Sequence, residues 1–163
     1  MEKKMKRGST IFLRLALLVM AAGVLLLCVF AVPTLSWEVS DYLDKAYLNY
    51  LIPTGLYITA LAFFAALWQT WKLLGFVDKN QAFSGLSVGA LKNIKYCGLV
   101  IGAVYALNLP IVFWVADKDD APGLILVGAA FVAVAFAVAV FAAVLERLLA
   151  EAIRIKSEND LTV

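Results

Sequence analysis

The chain has 163 residues, of which 64% are hydrophobic and 16% charged, at a mean hydropathy of +0.91 and a net charge of +2. One soluble core of this size does not need that much apolar sequence, and there is no length left for a separate soluble domain. There is no histidine, and the two cysteines, Cys28 and Cys97, lie far apart. That removes the usual zinc, copper and haem ligand sets and histidine-based acid–base chemistry, so no metal and no cofactor is expected.

Residues 1–10 form a short basic leader carrying Lys3, Lys4, Lys6 and Arg7, suited to anionic lipid at a membrane surface. The first apolar run, Ile11–Val32, is longer than the ~7–15 residues of a signal-peptide core, so it is expected to be retained as a helix. Arg14, one turn in, can snorkel to the headgroups. The stretch Pro33–Tyr50 carries Trp37, Tyr42, Tyr47 and Tyr50 among acids. Its Leu35, Val39, Tyr42, Leu43 and Ala46 recur at helical spacing, which predicts a short amphipathic helix on the outer surface; a ligand lid is the alternative.

The second run, Leu51–Val77, ends in Trp68, Trp71 and Lys72, an aromatic and cationic anchor. A polar connector follows, in which Ser87 is the expected N-cap of the next helix and Lys92 and Lys95 stand three apart. The third run, Ile94–Ala116, contains Gly98 and Gly102 four apart, a close-packing surface in an apolar helix. Tyr105, Asn108 and Pro110 come later in it. They read either as a structural kink or as the lining of a polar pocket within the membrane.

The fourth run, Pro122–Leu149, has two small-residue stripes, Ala129, Ala133 and Ala137, and Ala135, Ala139 and Ala143. Either allows close helix packing, the first being the expected one. Its 28 residues, 122 to 149, would extend about 42 Å as a helix, so it should project beyond ~30 Å of hydrocarbon. Leu145, Leu148, Leu149, Ala152, Ile153 and Ile155 carry an apolar stripe into the tail, residues 150–163.

Each run meets the ~20 residues that a spanning helix requires. Residues 1–163 are therefore expected to form one all-α bundle of four transmembrane helices, with spans near 11–32, 51–77, 94–116 and 122–149. Twelve of the fourteen basic residues fall on one side of the alternating topology, and only Lys45 and Lys118 on the other. The positive-inside rule places both termini in the cytoplasm, and the fourth helix extends there too.

The tail, Ala152-Ile153-Arg154-Ile155-Lys156-Ser157-Glu158-Asn159-Asp160-Leu161-Thr162-Val163, resembles the closing segment of a bacterial four-helix membrane family, domain of unknown function 2975. Phe83-Ser84 and Ala90-Leu91-Lys92-Asn93-Ile94 are similar to its inner connector. The resemblance implies a small protein of the bacterial inner membrane, often encoded beside a small helix-turn-helix DNA-binding protein. No charge sits near mid-depth in any span, which counts against a proton-coupled exporter and an intramembrane protease. The reading is a non-enzymatic regulatory or sensory membrane component that contacts the bilayer and a helix-turn-helix regulator, without binding nucleic acid directly. Its candidate partner surface is Arg154, Lys156, Glu158, Asn159 and Asp160, with Lys92 and Lys95 beside them. Carriage of small molecules by a homo-oligomer, or a structural subunit, are the alternatives.

Overall fold

The computed structural model describes residues 2–162, with side chains from Gly8 onward. Those of Lys3, Lys4, Lys6 and Arg7, expected at the membrane surface, lie outside the described residues. The chain is all-α: α1 (Glu2–Leu26), a π-helical turn (Leu27–Ala31), α2 (Val32–Tyr42), α3 (Leu48–Asp78), α4 (Gly85–Lys118) and α5 (Gly123–Leu161). Four stretches are long and apolar enough to cross a membrane: Gly8–Tyr42, Leu48–Asp78, Gly85–Lys118 and Gly123–Leu161. The apolar runs mark their middles, and the helices continue past each run because polar residues remain helical at headgroup level.

The first of these stretches corrects the expected surface helix. α1, the π turn and α2 are one uninterrupted rod, and Pro33 does not end it. Proline has no N–H, so at position 33 it would leave a carbonyl one turn earlier without a donor. The π turn redistributes the deficit. Val32 N–H reaches back to the Leu27 carbonyl rather than to that of Cys28. The Cys28 carbonyl then accepts from the Tyr57 hydroxyl of α3 at 3.3 Å. A polar handle from a neighbouring helix thus completes a helix that sequence spacing alone would break.

α2, α3 and α4 stop in the same way. Asp44, Asn80 and Asp120 adopt left-handed backbone, with φ of 53°, 58° and 48°. The following N–H closes a six-residue loop in each case: Lys45 to Ser40 at 3.0 Å, Gln81 to Phe76 at 2.8 Å and Ala121 to Ala116 at 2.9 Å. These are Schellman endings in which Asp or Asn takes the place usually held by glycine. The beginning of α4 also differs from expectation. Its N-cap is Ser84, in extended backbone, while Ser87 is buried and its hydroxyl bonds to the Gln81 carbonyl at 3.4 Å.

Helix packing runs in the order α5 on α4, α4 on α3, and α3 on both α1 and α2. No extensive contact joins α1 to α5 among the described residues, so the bundle is open on one side. The most extensive seam is α4 on α5. A Cβ at Gly98 would stand 3.1 Å from Ala139 Cβ and 3.2 Å from the Ala135 carbonyl oxygen, and one at Gly102 would stand 3.1 Å from the Phe136 ring. In lipid there is little hydrophobic drive between helices, and such backbone approach supplies the dispersion contact that holds them. The alanine stripe that uses it is Ala135 and Ala139, with Ala142 buried beside them. Ala129, Ala133 and Ala137, the stripe expected to pack, lie on the exposed side of α5, because the helix presents the other phase to α4.

Candidate functional site

α1 begins and α5 ends on one face of the bundle, the terminal face, and two ion pairs are set into it. Arg14 of α1 reaches Asp78 at the end of α3 at 2.7 Å, with its guanidinium 5.2 Å from the centre of the Trp71 ring. Lys95 of α4 reaches Glu146 of α5 at 2.6 Å. The second pair is the more enclosed, with side chains 23% and 19% exposed. Each pair joins two helices where hydrocarbon gives way to headgroups, where an unpaired charge is costly. Arg14 is therefore a helix-to-helix tie rather than a group snorkelling to lipid.

The pairing divides the expected partner surface. Lys95 is taken up by Glu146, while Lys92 is exposed on α4. Arg154 lies eight residues beyond Glu146 on α5, about 12 Å further from the membrane middle. Lys92 and Lys95 do not sit beside it. Arg154 pairs along its own helix, with Glu151 and, at 4.0 Å, with Glu158. Lys156, Glu158, Asn159 and Asp160 are exposed, and the helix holding them runs to Leu161.

The overshoot of α5 follows from the α4 seam. Gly98 meets Ala139, and Gly85, the first residue of α4, precedes Gly98 by 13 residues. The antiparallel partner level on α5 is Ala152. Nine more residues carry α5 to Leu161, a projection of about 14 Å past the start of α4, the helix it packs on. Leu161 is 86% exposed.

On the opposite, connector face the two remaining basic residues dock one helix end on another. Lys45 lies over the Trp114 ring at 3.5 Å. Lys118 donates to the Tyr42 carbonyl, and the Tyr42 hydroxyl reaches Asp119 at 3.4 Å. Below this cluster, Leu48, Ile52 and Ile111 form the buried apolar centre, with Val39, Leu43 and Leu56 against it.

Between the faces, on the open side, lies a slot. Two adjoining cavities of about 330 and 510 Å³ share Leu35 of α2, Leu56 of α3, Tyr105 of α4 and Phe131 of α5. Their walls are almost wholly carbon. Tyr105 and Asn108 do line it, but not as a polar pocket. The Asn108 amide donates to the Val104 carbonyl of its own helix at 2.9 Å, and its nitrogen lies against Gly55. Tyr105 packs its ring on Phe131, centroids 6.0 Å apart. Pro110 lies inside α4 with its ring exposed. Among the described residues no three cysteine or acidic side chains come together in a way that could hold a metal.

Residues 34–163, which is α2 through α5, match the family described as Protein of unknown function (DUF2975). The chain belongs to that family. It is also 51% identical over 160 residues to the uncharacterized membrane protein YoaS of Bacillus subtilis (strain 168), an alignment covering 98% of this chain and all of YoaS. No solved structure is significantly similar.

In this DUF2975 member the features that sequence reasoning missed are the two ion pairs, the Tyr57 bond to Cys28 and the slot. One signal for the Lys95 pair was available. Lys95 and Glu146 are opposite charges just inside the same-side ends of runs three and four, which antiparallel helices bring to one depth. The slot has no such signal, since its residues look like any other apolar positions.

Proposed function

We propose that this protein is a non-enzymatic regulatory component of the bacterial cytoplasmic membrane, with both termini in the cytoplasm, that acts through the projecting end of α5. The observation that carries the reading is the ~14 Å of α5 beyond Ala152, which runs past the start of α4, the helix α5 packs on among the described residues. It presents Lys156, Glu158, Asn159 and Asp160 beside the apolar Ile155 and Leu161. A projecting helix with an apolar edge and both charge signs suits a partner helix, and a soluble helix-turn-helix regulator would offer one. The distribution of basic residues supports the orientation. The revised contact surface excludes Lys95, which Glu146 holds, and Lys92, which lies well inside the end of α5.

The test is co-purification from membranes with a small helix-turn-helix protein of the kind often encoded beside members of the family, comparing the full chain with one lacking its last twelve residues. Binding to the full chain and loss on truncation is the expected result. Equal binding by both sinks the α5 surface, and absence of binding to either sinks the regulatory reading. The exposed Ala129, Ala133 and Ala137 stripe favours a second reading, a homo-oligomeric carrier, which predicts small-molecule flux into liposomes that Asn108→Ala alters.

A further inference from the structure

We propose that the slot between α2 and α5 is a binding site for a single phospholipid acyl chain from the leaflet on the connector face. This does not depend on the cytoplasmic reading above. The floor of the slot is α3 and α4, and along α4 its lining runs from Ile101 to Val115. Those fourteen steps cover about 21 Å. One leaflet contributes about 15 Å of hydrocarbon, so a slot that starts at the headgroup level of the connector-face leaflet crosses that leaflet and passes mid-membrane by about 6 Å. Its connector-face end is bounded by Val39, Val115 and Leu124, directly below the Lys45, Tyr42 and Lys118 cluster.

Three physical arguments choose the occupant. A space of several hundred cubic ångströms cannot stand empty without its lining losing dispersion contacts. Water is a poor filler, because the walls offer almost no polar atom to bond it. A helix from a second copy or a partner is the competing occupant, and the crosslinking outcome below distinguishes it from lipid. A hydrocarbon chain is slender, apolar and already present at the open side. The Tyr105 and Phe131 ring pair stands where the two cavities meet, so a chain reaching mid-membrane must pass it.

The experiment reconstitutes the full chain in phosphatidylglycerol vesicles containing a small fraction of phosphatidylglycerol with a diazirine on one acyl chain. After irradiation, adducts are mapped by mass spectrometry. Adducts should concentrate on Leu56, Tyr105 and Phe131 over Phe141 of α5 and Leu107 of α4, which are 69% and 79% exposed. Leu56→Trp fills the slot and should reduce adducts at Tyr105 and Phe131 to the level of Phe141, leaving Phe141 unchanged. Val112→Phe fills it from α4 and repeats the test if the first variant loses helical circular dichroism. Even labelling over slot and lipid-facing residues overturns the proposal. So does slot labelling that neither filling reduces, or photo-crosslinking of a probe at Leu35 to a second protein chain in place of lipid.

Discussion

The α4–α5 seam makes a graded prediction, because glycines in this protein meet three different surroundings. A side chain at Gly98 meets the Ala139 Cβ and Cα and the Ala135 carbonyl oxygen at 3.1–3.2 Å, and atoms on or next to a helix backbone cannot turn aside. At Gly102 its nearest atoms all belong to the Phe136 ring, on a side chain 37% exposed that can swing towards lipid. At Gly23 it meets nothing within 4 Å. Overpacking costs about 1–3 kcal/mol, and the rigid site should take the upper part of that range. Gly98→Val is therefore expected to cost ~2–3 kcal/mol, Gly102→Val ~1 kcal/mol and Gly23→Val close to nothing. The assay is reversible unfolding in mixed dodecyl maltoside and dodecyl sulfate micelles, followed by tryptophan fluorescence and circular dichroism. For Gly98→Val the folding equilibrium should fall by roughly thirtyfold or more. If Gly98→Val unfolds together with Gly23→Val, the close approach of α4 to α5 is wrong and the assigned seam fails with it.

Two further predictions rest on single polar contacts. Lys95→Met alone should destabilise the fold by about 2 kcal/mol, because it leaves Glu146 charged and half-enclosed, whereas Lys95→Met with Glu146→Leu should recover most of the loss in the same unfolding assay. Equal losses in single and double variants would show that the pair is not coupled. Tyr57→Phe should cost about 1 kcal/mol by leaving the Cys28 carbonyl without a donor. In a Pro33→Ala background, where residue 33 regains an N–H, the same change should cost little, and an undiminished cost there would refute the account of the π turn.

The spans were legible because the hydrocarbon imposes a length on any helix that crosses it, and Ile11–Val32, Leu51–Val77, Ile94–Ala116 and Pro122–Leu149 all meet it. Membership of DUF2975 was legible in the tail and the inner connector. Phase and pairing were not. Ala129 and Ala135 belong to stripes of equal spacing, and only the rotation of α5 on α4 decides which is buried. Pro33 looked like a boundary because the hydroxyl that makes it tolerable comes from Tyr57, twenty-four residues later. Lys95 looked like a solvated lysine because its partner is 51 residues away. Each miss concerns a contact set by the register of two helices, which spacing within one helix does not encode.

The central claim, that the projecting end of α5 lies in the cytoplasm together with the connector between α3 and α4, is tested most directly by cysteine labelling in intact bacteria. In a background with Cys28→Ala and Cys97→Ala, single cysteines at Asn80, Asp120 and Ser157 are exposed to a membrane-impermeant maleimide. All three positions are exposed at helix ends or beyond them. The account predicts labelling of Asp120→Cys in intact cells, and of Asn80→Cys and Ser157→Cys only after the membrane is opened. Labelling of Ser157→Cys in intact cells would place the end of α5 outside and contradict the account.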